Sequence, residues 1–471
     1  MTGQRIGPLV LASLLFAGCT AMPPPREWGR GDTEASDSTE KRAQEQPAPE
    51  PIESLDWAAA LHFARAGSPS LRAARVRIAR AEALLEESRA LAYPRLDARA
   101  NYVRFLEAAS FRGRIGGDGS GQTTRSRFFT GRGSDIYSAG VDLSYSLFDG
   151  GEDYYDRRAA ASALEATRLE SDAVLDELEL VVSTAFLNAL LAEGVVRISE
   201  DALGFTEEQE AQARAREEAG EGLRVDTLRF ATRASEEQLA LNRAQAEMRV
   251  QVAVLSELLG MRLPDDVELV RPETLLYMIE GDLVELALDT RADVRALQAR
   301  IREARAAIDR EEARWWPVVD LFGSYGVISL DDVKLADDED ELSVGGVLSW
   351  NLFEGGATTA RVEARRQELE ELHEIQRELR LVVEREVRQF ELELEVAMKN
   401  VEVSRETVEL AEEVLTRVTA RYREGEAQVL DVTEAELQRT RAQLAFLRSR
   451  VNSVLSQARL RRAIGIGLLR E

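Results

Sequence analysis

The stretch SYSLFDGG at residues 144–151 returns 205 positions later as SWNLFEGG at residues 349–356. In each copy an alternating apolar segment precedes the motif, and a long charged segment without proline follows it. Repetition of this kind decides the architecture, because each copy must form the same structural unit. We therefore predict a strand-to-helix motif that occurs twice and consists of Leu147, Phe148, Gly150, Gly151, Leu352, Phe353, Gly355 and Gly356.

The repeat extends well beyond these glycines and needs no gap downstream of them. Three further matches share the offset of 205, namely Gly220 with Gly425, Asp226 with Asp431 and Gly260 with Gly465. Upstream, Pro94 matches Pro317 at an offset of 223, so the first copy carries 18 extra residues in one Gly-, Ser- and Arg-rich loop. We expect two structural repeats, 55–281 and 282–471, each with the order helix, strand, strand, helix, helix.

Four segments alternate between apolar and polar residues with the period of two that is typical of strands. They are RLDARANYV from 95, YSAGVDLSYSLF from 137, VVDLFGSYG from 318 and the residues 342–352. A one-sided strand faces either a soluble core or lipid. These strands have no second sheet to pack on, have about the 9 to 11 residues that cross a bilayer, and carry aromatic residues. The pattern favours the wall of a membrane barrel.

Four strands cannot close a barrel by themselves. An open sheet edge in lipid leaves backbone groups unpaired, at several kcal/mol each. Since a barrel needs about eight strands or more, the chain must oligomerise, either as a dimer with eight strands or as a trimer with twelve. The residues alone do not choose between the two.

The segments after the glycines predict two very long helices that end in tight turns. Residues 152–218 contain no proline and carry an apolar seam at steps of three and four, so the helix would run for roughly 100 Å. Gly220 and Gly425 break the two helices, and a shorter helix restarts after each. We expect a mainly α fold with a small β part, in which long antiparallel helical hairpins form a tube below four transmembrane strands.

Composition excludes several classes of function. A net charge of -25 argues against a nucleic-acid-binding surface. The two histidines are isolated, and the serine-hydrolase, zinc-protease and nucleotide-binding motifs are absent from the sequence. With 85 acidic residues, any carboxylate pair could arise by chance. We predict no catalytic residue, no metal, no cofactor and no enzymatic activity.

The amino terminus predicts export. Residues 1–18 have one basic residue and a short apolar run, which is the pattern of a signal peptide. LLFAGC resembles a bacterial lipobox, in which the cysteine is acylated after cleavage, so we expect lipidation at Cys19. A stray cysteine in a plain signal peptide is the alternative. Residues 19–54 are polar and proline-rich and predict a disordered tether. No later segment has about 18 continuous apolar residues.

Together these residues resemble the TolC family of outer-membrane efflux proteins, in its lipoprotein branch. The duplicated LFDGG and LFEGG carry the resemblance, with the spacing of Tyr422, Gly425 and Asp431, and it covers about residues 55–467. It implies a homotrimer whose twelve strands form one barrel in outer-membrane lipid, continued by a helical tube through the periplasm. It also implies two partners, a periplasmic adaptor and an inner-membrane pump of the resistance-nodulation-division or ABC type.

The resemblance further implies roles for the ends of the hairpins. A periplasmic gate would comprise Asp431 and Glu434 as an acidic ring, and Asp226 and Tyr422 as groups that hold the closed state. The tip turns that meet the adaptor would be formed by Gly220, Glu221, Gly222, Leu223, Gly425 and Glu426. Two departures from the family pattern stand out: carboxylates flank the tip glycines, and Ala427 replaces a basic residue that can bridge to the neighbouring hairpin.

The predicted function is that of a passive exit duct for small molecules such as drugs or metals, driven by an inner-membrane pump through the adaptor. A duct for type I protein secretion has the same architecture and stays open as an alternative. A periplasmic coiled-coil scaffold without a pore is a third hypothesis, from a different class.

Overall fold

The structure is a computed structural model that describes residues 54–104, 135–264, 267–270, 281–330 and 340–467. The predicted signal peptide, Cys19 and the tether up to residue 53 lie outside these residues. So do the two loops that connect the strands within each pair, residues 105–134 and 331–339.

The two halves of the chain have the same order of major elements. The first half contains β1 (Ser54–Leu55), α1 (Trp57–Gly67), α2 (Pro69–Ala90), β2 (Arg95–Arg104), β3 (Asp135–Phe148), α3 (Glu152–Glu218), α4 (Arg224–Leu259) and β4 (Glu268–Leu269). The second contains α5 (Leu283–Thr290), α6 (Ala292–Ala313), β5 (Val318–Leu330), β6 (Asp340–Ser349), α7 (Ala357–Arg423) and α8 (Val429–Ala463). The predicted mainly α fold with long hairpins and four long strands is confirmed. Both α3 and α7 have 67 residues, about 100 Å of helix.

The four long strands form one antiparallel sheet in the order β2-β3-β5-β6. The register pairs Leu96 with Leu143, Val141 with Tyr325, and Tyr325 with Leu342. Residues paired in this way project on the same side of a sheet, so the apolar residues of all four strands share one face. That face is uncovered in the described chain, where Leu96 and Leu342 are 59% and 71% exposed. The opposite face carries polar residues, including Asp97 paired with Asp142.

The repeated glycines make the turn from strand to helix. Gly150 and Gly151 have φ of 72° and 93°, and Gly355 and Gly356 have 62° and 89°, which is backbone that favours glycine. A Cβ on Gly150 would lie 2.4 Å from the carbonyl oxygen of Ala313. In the first copy, glycine is therefore also required because there is no room for a side chain. Among the described residues, a Cβ on Gly355 would meet nothing within 4 Å.

The acidic residue before the glycines fixes the start of the helix. The Asp149 carboxylate accepts hydrogen bonds from the backbone N–H groups of Gly151 at 2.8 Å and Asp153 at 2.6 Å. In the second copy the Glu354 carboxylate accepts from the Thr358 hydroxyl at 2.9 Å and from Arg361 at 2.7 Å. An anion at a helix N-terminus satisfies unpaired N–H groups and complements the helix dipole. The Asp/Glu of LFDGG and LFEGG therefore has a structural role beside that of the glycines.

The long helices pack side by side in a row. In the half towards the turns the order is α4-α3-α8-α7, and in the half towards the sheet it is α2-α3-α6-α7. The outermost helices of the row expose apolar stripes: Leu228, Leu239 and Val250 on α4 are 56%, 57% and 53% exposed, and Val403 and Leu410 on α7 are 62% and 57% exposed.

Among the described helices, α3 alone has an 18-residue stretch apolar enough to cross a membrane by length and composition, and half of that stretch is buried inside the fold. Its fully buried residues include Val182, Phe186 and Ala189. Leu187 packs with Val451 and Leu455 of α8 in one apolar cluster. The apolar character of α3 is thus explained by its position in the middle of the row.

A buried arginine anchors the second repeat where α5 meets α6. Arg291 is 5% exposed, forms ion pairs with Asp293 at 2.7 Å and Glu386 at 2.8 Å, and donates to the carbonyl oxygen of Ala463 at 3.2 Å. Gly465 lies against the backbone of Arg291. A Cβ added to Gly465 would lie 2.8 Å from the backbone N atom of Arg291. These contacts hold α6, α7 and α8 together.

Candidate functional site at the helical tips

The turn between α3 and α4 is a glycine-terminated helix cap. Gly220 has φ of 78°, its N–H donates to the carbonyl of Glu217, and the N–H of Glu221 donates to the carbonyl of Arg216 at 2.9 Å. This pair of bonds is the Schellman motif, which satisfies the last carbonyls of a helix. Glu221 is exposed, and Leu223 at the start of α4 is 66% exposed. The turn therefore presents a carboxylate and an apolar side chain at its end.

The turn between α7 and α8 repeats this geometry. Gly425 has φ of 81°, its N–H donates to the carbonyl of Tyr422, and the N–H of Glu426 donates to the carbonyl of Arg421 at 2.9 Å. Then α8 begins with a capping box, in which the Asp431 carboxylate accepts from the N–H of Gln428 at 2.9 Å. Asp431 thus stabilises the start of the helix.

Tyr422 lies in an apolar cluster that joins the two hairpins. It is 8% exposed and packs with Ala213, Phe230, Val429 and Val432. The ring of Phe230 meets the Tyr422 ring edge-on, with centroids 6.0 Å apart. Burial raises the pKa of the Tyr422 phenol, and the nearby negative charge of Asp226 raises the pKa further. The structure therefore brings Asp226 and Tyr422 together, although the sequence separates them by almost 200 residues.

Arg216, near the end of α3, ties the first hairpin to the second. Its guanidinium donates from Nη1 to the carbonyl oxygen of Tyr422 at 3.4 Å and from Nη2 to that of Arg423 at 3.0 Å. Its Cζ also lies 5.4 Å from the centroid of the Tyr422 ring. The last carbonyls of a helix carry partial negative charge, so an arginine from another helix stabilises them. Arg216 therefore places a positive charge at the end of α7.

Asp431 and Glu434 lie apart from this cluster. Both are exposed on α8, three residues apart, and so share one side of the helix. Among the described residues, no hydrogen bond or ion pair joins either carboxylate to Asp226 or Tyr422. Within the described residues, no group of three or more His, Cys, Asp or Glu side chains is placed to hold a metal ion.

Sequence reasoning missed Arg216, because its partners are backbone carbonyls more than 200 residues away. The available signal was weak: one arginine in the last turn of a predicted helix, a position where basic residues are common. Asp149 and Glu354 could have been found, since an acidic residue directly before a predicted helix is a familiar capping signal.

The chain is similar to known proteins over most of its length. The family model described as "Outer membrane efflux protein" matches residues 60–261 and 283–466. The outer membrane efflux protein BepC of Brucella suis is 25% identical over 335 residues, which are 70% of this chain and 72% of BepC. The alkaline protease secretion protein AprF of Pseudomonas aeruginosa is 27% identical over 302 residues, 62% of each chain.

The fold also matches solved structures. The crystal structure of the outer membrane protein VceC of Vibrio cholerae superposes with a TM-score of 0.71 at 20% identity and covers 87% of this chain and 96% of VceC. The predicted resemblance to outer-membrane efflux proteins is confirmed. The chain belongs to the outer membrane efflux protein family and is an outer-membrane protein whose helices extend into the periplasm.

Proposed function

We propose that the protein is a passive exit duct for small molecules, such as drugs or metals, in a tripartite efflux system. The observation that carries the proposal is the four-stranded sheet, continued directly by helical hairpins about 100 Å long. Within the described residues, its apolar face is uncovered and its two edges pair with no other strand. The sheet is suited to lipid and the hairpins to a periplasmic tube. Energy would come from an inner-membrane pump of the resistance-nodulation-division or ABC type.

The duct is a homotrimer in this proposal. The free edges of the sheet are β2 and β6, and three copies would pair β6 of one with β2 of the next to give twelve strands. Antiparallel order is kept around such a ring, because the two edge strands of one chain run in opposite directions. The same arrangement sets the exposed apolar stripe of α4 against that of α7 of a neighbour. Closure removes the unpaired backbone groups that lipid would not tolerate.

The tips would serve as gate and docking site. Asp226 and Tyr422, with Arg216, hold the two hairpins together, and Asp431 and Glu434 form an acidic ring at the entrance once three copies assemble. The turns Gly220–Leu223 and Gly425–Glu426 would meet a periplasmic adaptor.

We also propose that the chain consists of two structural repeats, 55–281 and 282–471, which the two separate matches to the family model support. We further propose that Cys19 is acylated.

Planar-bilayer recordings of the purified protein test the gate assignment. An acidic ring concentrates cations, so Asp431→Asn combined with Glu434→Gln should lower cation selectivity and weaken block by multivalent cations. Glu208→Gln, which removes an exposed carboxylate from α3, is the control and should change neither. Unchanged selectivity and block in the double variant would refute the ring, and absence of any conductance would refute the duct.

Secretion of a polypeptide is a second candidate, which the similarity to AprF favours. The genes beside this one distinguish the two functions, because an ABC exporter implies a secreted polypeptide, whereas a proton-driven pump implies small molecules. Deletion of the gene would then abolish secretion in the first case and increase sensitivity to toxic compounds in the second.

A further inference from the structure

A layer of buried polar side chains lies beyond the Tyr422 cluster, on the side away from the tips. It contains Gln209 of α3, Glu237 of α4 and Glu436 of α8, which are 1%, 6% and 1% exposed. Each lies four or seven residues along its helix from a member of the cluster. Residues at these spacings share one face of a helix, so all three continue the surfaces by which the hairpins pack.

Three buried oxygen atoms in this layer receive no hydrogen bond among the described residues. The Glu436 carboxyl accepts at Oε1 from Arg439 at 2.7 Å and from the Thr440 hydroxyl at 3.3 Å, but its Oε2 receives none. The same holds for Oε1 of Gln209 and for Oε1 of Glu237, which forms an ion pair with Arg233. A buried carboxylate oxygen without a hydrogen bond is unfavourable. A proton on Glu436 would remove the negative charge from this buried carboxyl.

The second carboxylate of the layer makes an ionised Glu436 still less favourable. Glu237 forms an ion pair with Arg233 on its own helix, and its negative charge acts on Glu436 across the interface. Burial, together with this charge, raises the pKa of Glu436 to about 7, although Arg439 opposes the shift.

The other helices packed here contribute no further charge that faces Glu436 among the described residues. From α3 the buried groups are Thr206 and Gln209, and from α7 they are Leu415 and Thr419. The ionisable side chains in the same turns point outward or are half-buried in surface pairs: Glu207, Glu208, Glu210, Glu412, Glu413 and Arg417. The charged groups that act on Glu436 are therefore Arg439 and Glu237, and Glu237 is itself paired with Arg233.

We propose that Glu436 is a proton-binding site that links the packing of the two hairpins to periplasmic pH. With its proton, Glu436 is neutral and the α3–α4 hairpin stays packed against the α7–α8 hairpin. Without the proton, two carboxylates face each other across that interface, and the hairpins separate more readily. Closed packing is thus favoured at acidic pH and weakens as the pH rises through neutrality. The consequence for transport rests on the proposed function; the proton site does not.

Two measurements on the full-length protein test the proposal. In planar bilayers we expect the open fraction of the wild type to rise roughly tenfold between about pH 6 and pH 8, and that of Glu436→Gln to stay at the acidic level. By infrared difference spectroscopy, the wild type at pH 6 should show a protonated carboxyl band that Glu436→Gln lacks. Identical bands, or the same pH response in both proteins, would overturn the proposal.

Two more variants sharpen the assignment. Glu237→Gln removes the facing charge and should shift the midpoint of the response to lower pH; an unmoved midpoint would refute the coupling. Glu208→Gln, next to Gln209 but exposed, should behave as the wild type. If the infrared band is present and lost in Glu436→Gln while no variant conducts, the proton site stands and the duct function fails.

Discussion

At the scale of single residues, the two copies of the glycine motif are alike in sequence but not in packing. Gly150 and Gly355 both need a left-handed backbone, yet only Gly150 also lies against other backbone, at the carbonyl of Ala313. The sequence predicts the turn at both places, because two adjacent glycines end a strand in each. It does not predict that a side chain at Gly150 would destabilise the fold more than one at Gly355. That difference arises because the end of α6 packs against Gly150.

Alanine substitutions at Gly150 and Gly355 should distinguish backbone strain from steric clash. Gly355→Ala adds only the left-handed strain, about 1–2 kcal/mol, whereas Gly150→Ala adds a clash with backbone that cannot move aside. We expect Gly150→Ala to lower the thermal stability of the purified protein in detergent much further than Gly355→Ala. Circular dichroism melts measure the difference, and equal melting temperatures would contradict the contact at Ala313.

Arg216 offers a second test at this scale. Arg216→Gln removes charge-assisted hydrogen bonds to the end of α7, a loss of about 2 kcal/mol, which corresponds to a roughly 30-fold change in the ratio of closed to open tips. We expect a larger open fraction in bilayer recordings. Arg214→Gln is the matched control, since Arg214 makes only a surface pair with Glu210 on the same helix. If the open fraction of Arg216→Gln equals that of the wild type, the hydrogen bonds from Arg216 do not hold the hairpins together.

At the scale of elements, α6, α7 and α8 depend on the buried Arg291. Burial alone would raise the pKa of Asp293, but the hydrogen bonds and charge of Arg291 outweigh it and hold that pKa below its usual value. A depressed carboxyl pKa stabilises the fold above the usual pKa of aspartate, and this stabilisation is lost as the pH falls through the lower, folded value.

Arg291→Gln should therefore destabilise the fold, by about 2–3 kcal/mol at neutral pH, because it removes the hydrogen-bonded partner that Asp293 and Glu386 share. Glu386 keeps longer ion pairs with Arg385 at 3.8 Å and Arg462 at 3.9 Å. The loss should shrink as the pH falls through the lowered pKa of Asp293, because the wild type then loses the same ion pair. Thermal unfolding at several pH values measures both effects, with the exposed Arg295→Gln as control. A small loss that does not vary with pH would show that the ion pairs contribute little.

For the molecule as a whole, the described residues leave three surfaces without a partner. No described strand pairs with the outer edges of β2 and β6, no described element covers the apolar face of the sheet, and the outermost helices expose the stripes of α4 and α7. A ring of identical copies would account for all three features, because it would pair the strand edges and cover the apolar stripes of the helices.

A charge in the α4 stripe should prevent assembly. Leu239→Asp places a carboxylate where we expect α7 of the neighbouring copy to pack, so heat-modifiable trimers should be lost from outer-membrane fractions. Ala240→Asp introduces the same residue about 100° round the helix at another exposed position, and its trimers should persist. Trimers of normal stability in Leu239→Asp would contradict the proposed packing of copies.

The four strands, the long helices, their breaks at Gly220 and Gly425 and the family can all be recognised in the sequence, because periodic and repeated patterns are local along the chain. The folded chain was needed to show that Arg216 caps a helix from the other hairpin and that Glu237 acts on Glu436. Those contacts join residues about 200 positions apart and follow no period. They arise from the way α3, α4, α7 and α8 pack, which no stretch of the chain contains alone.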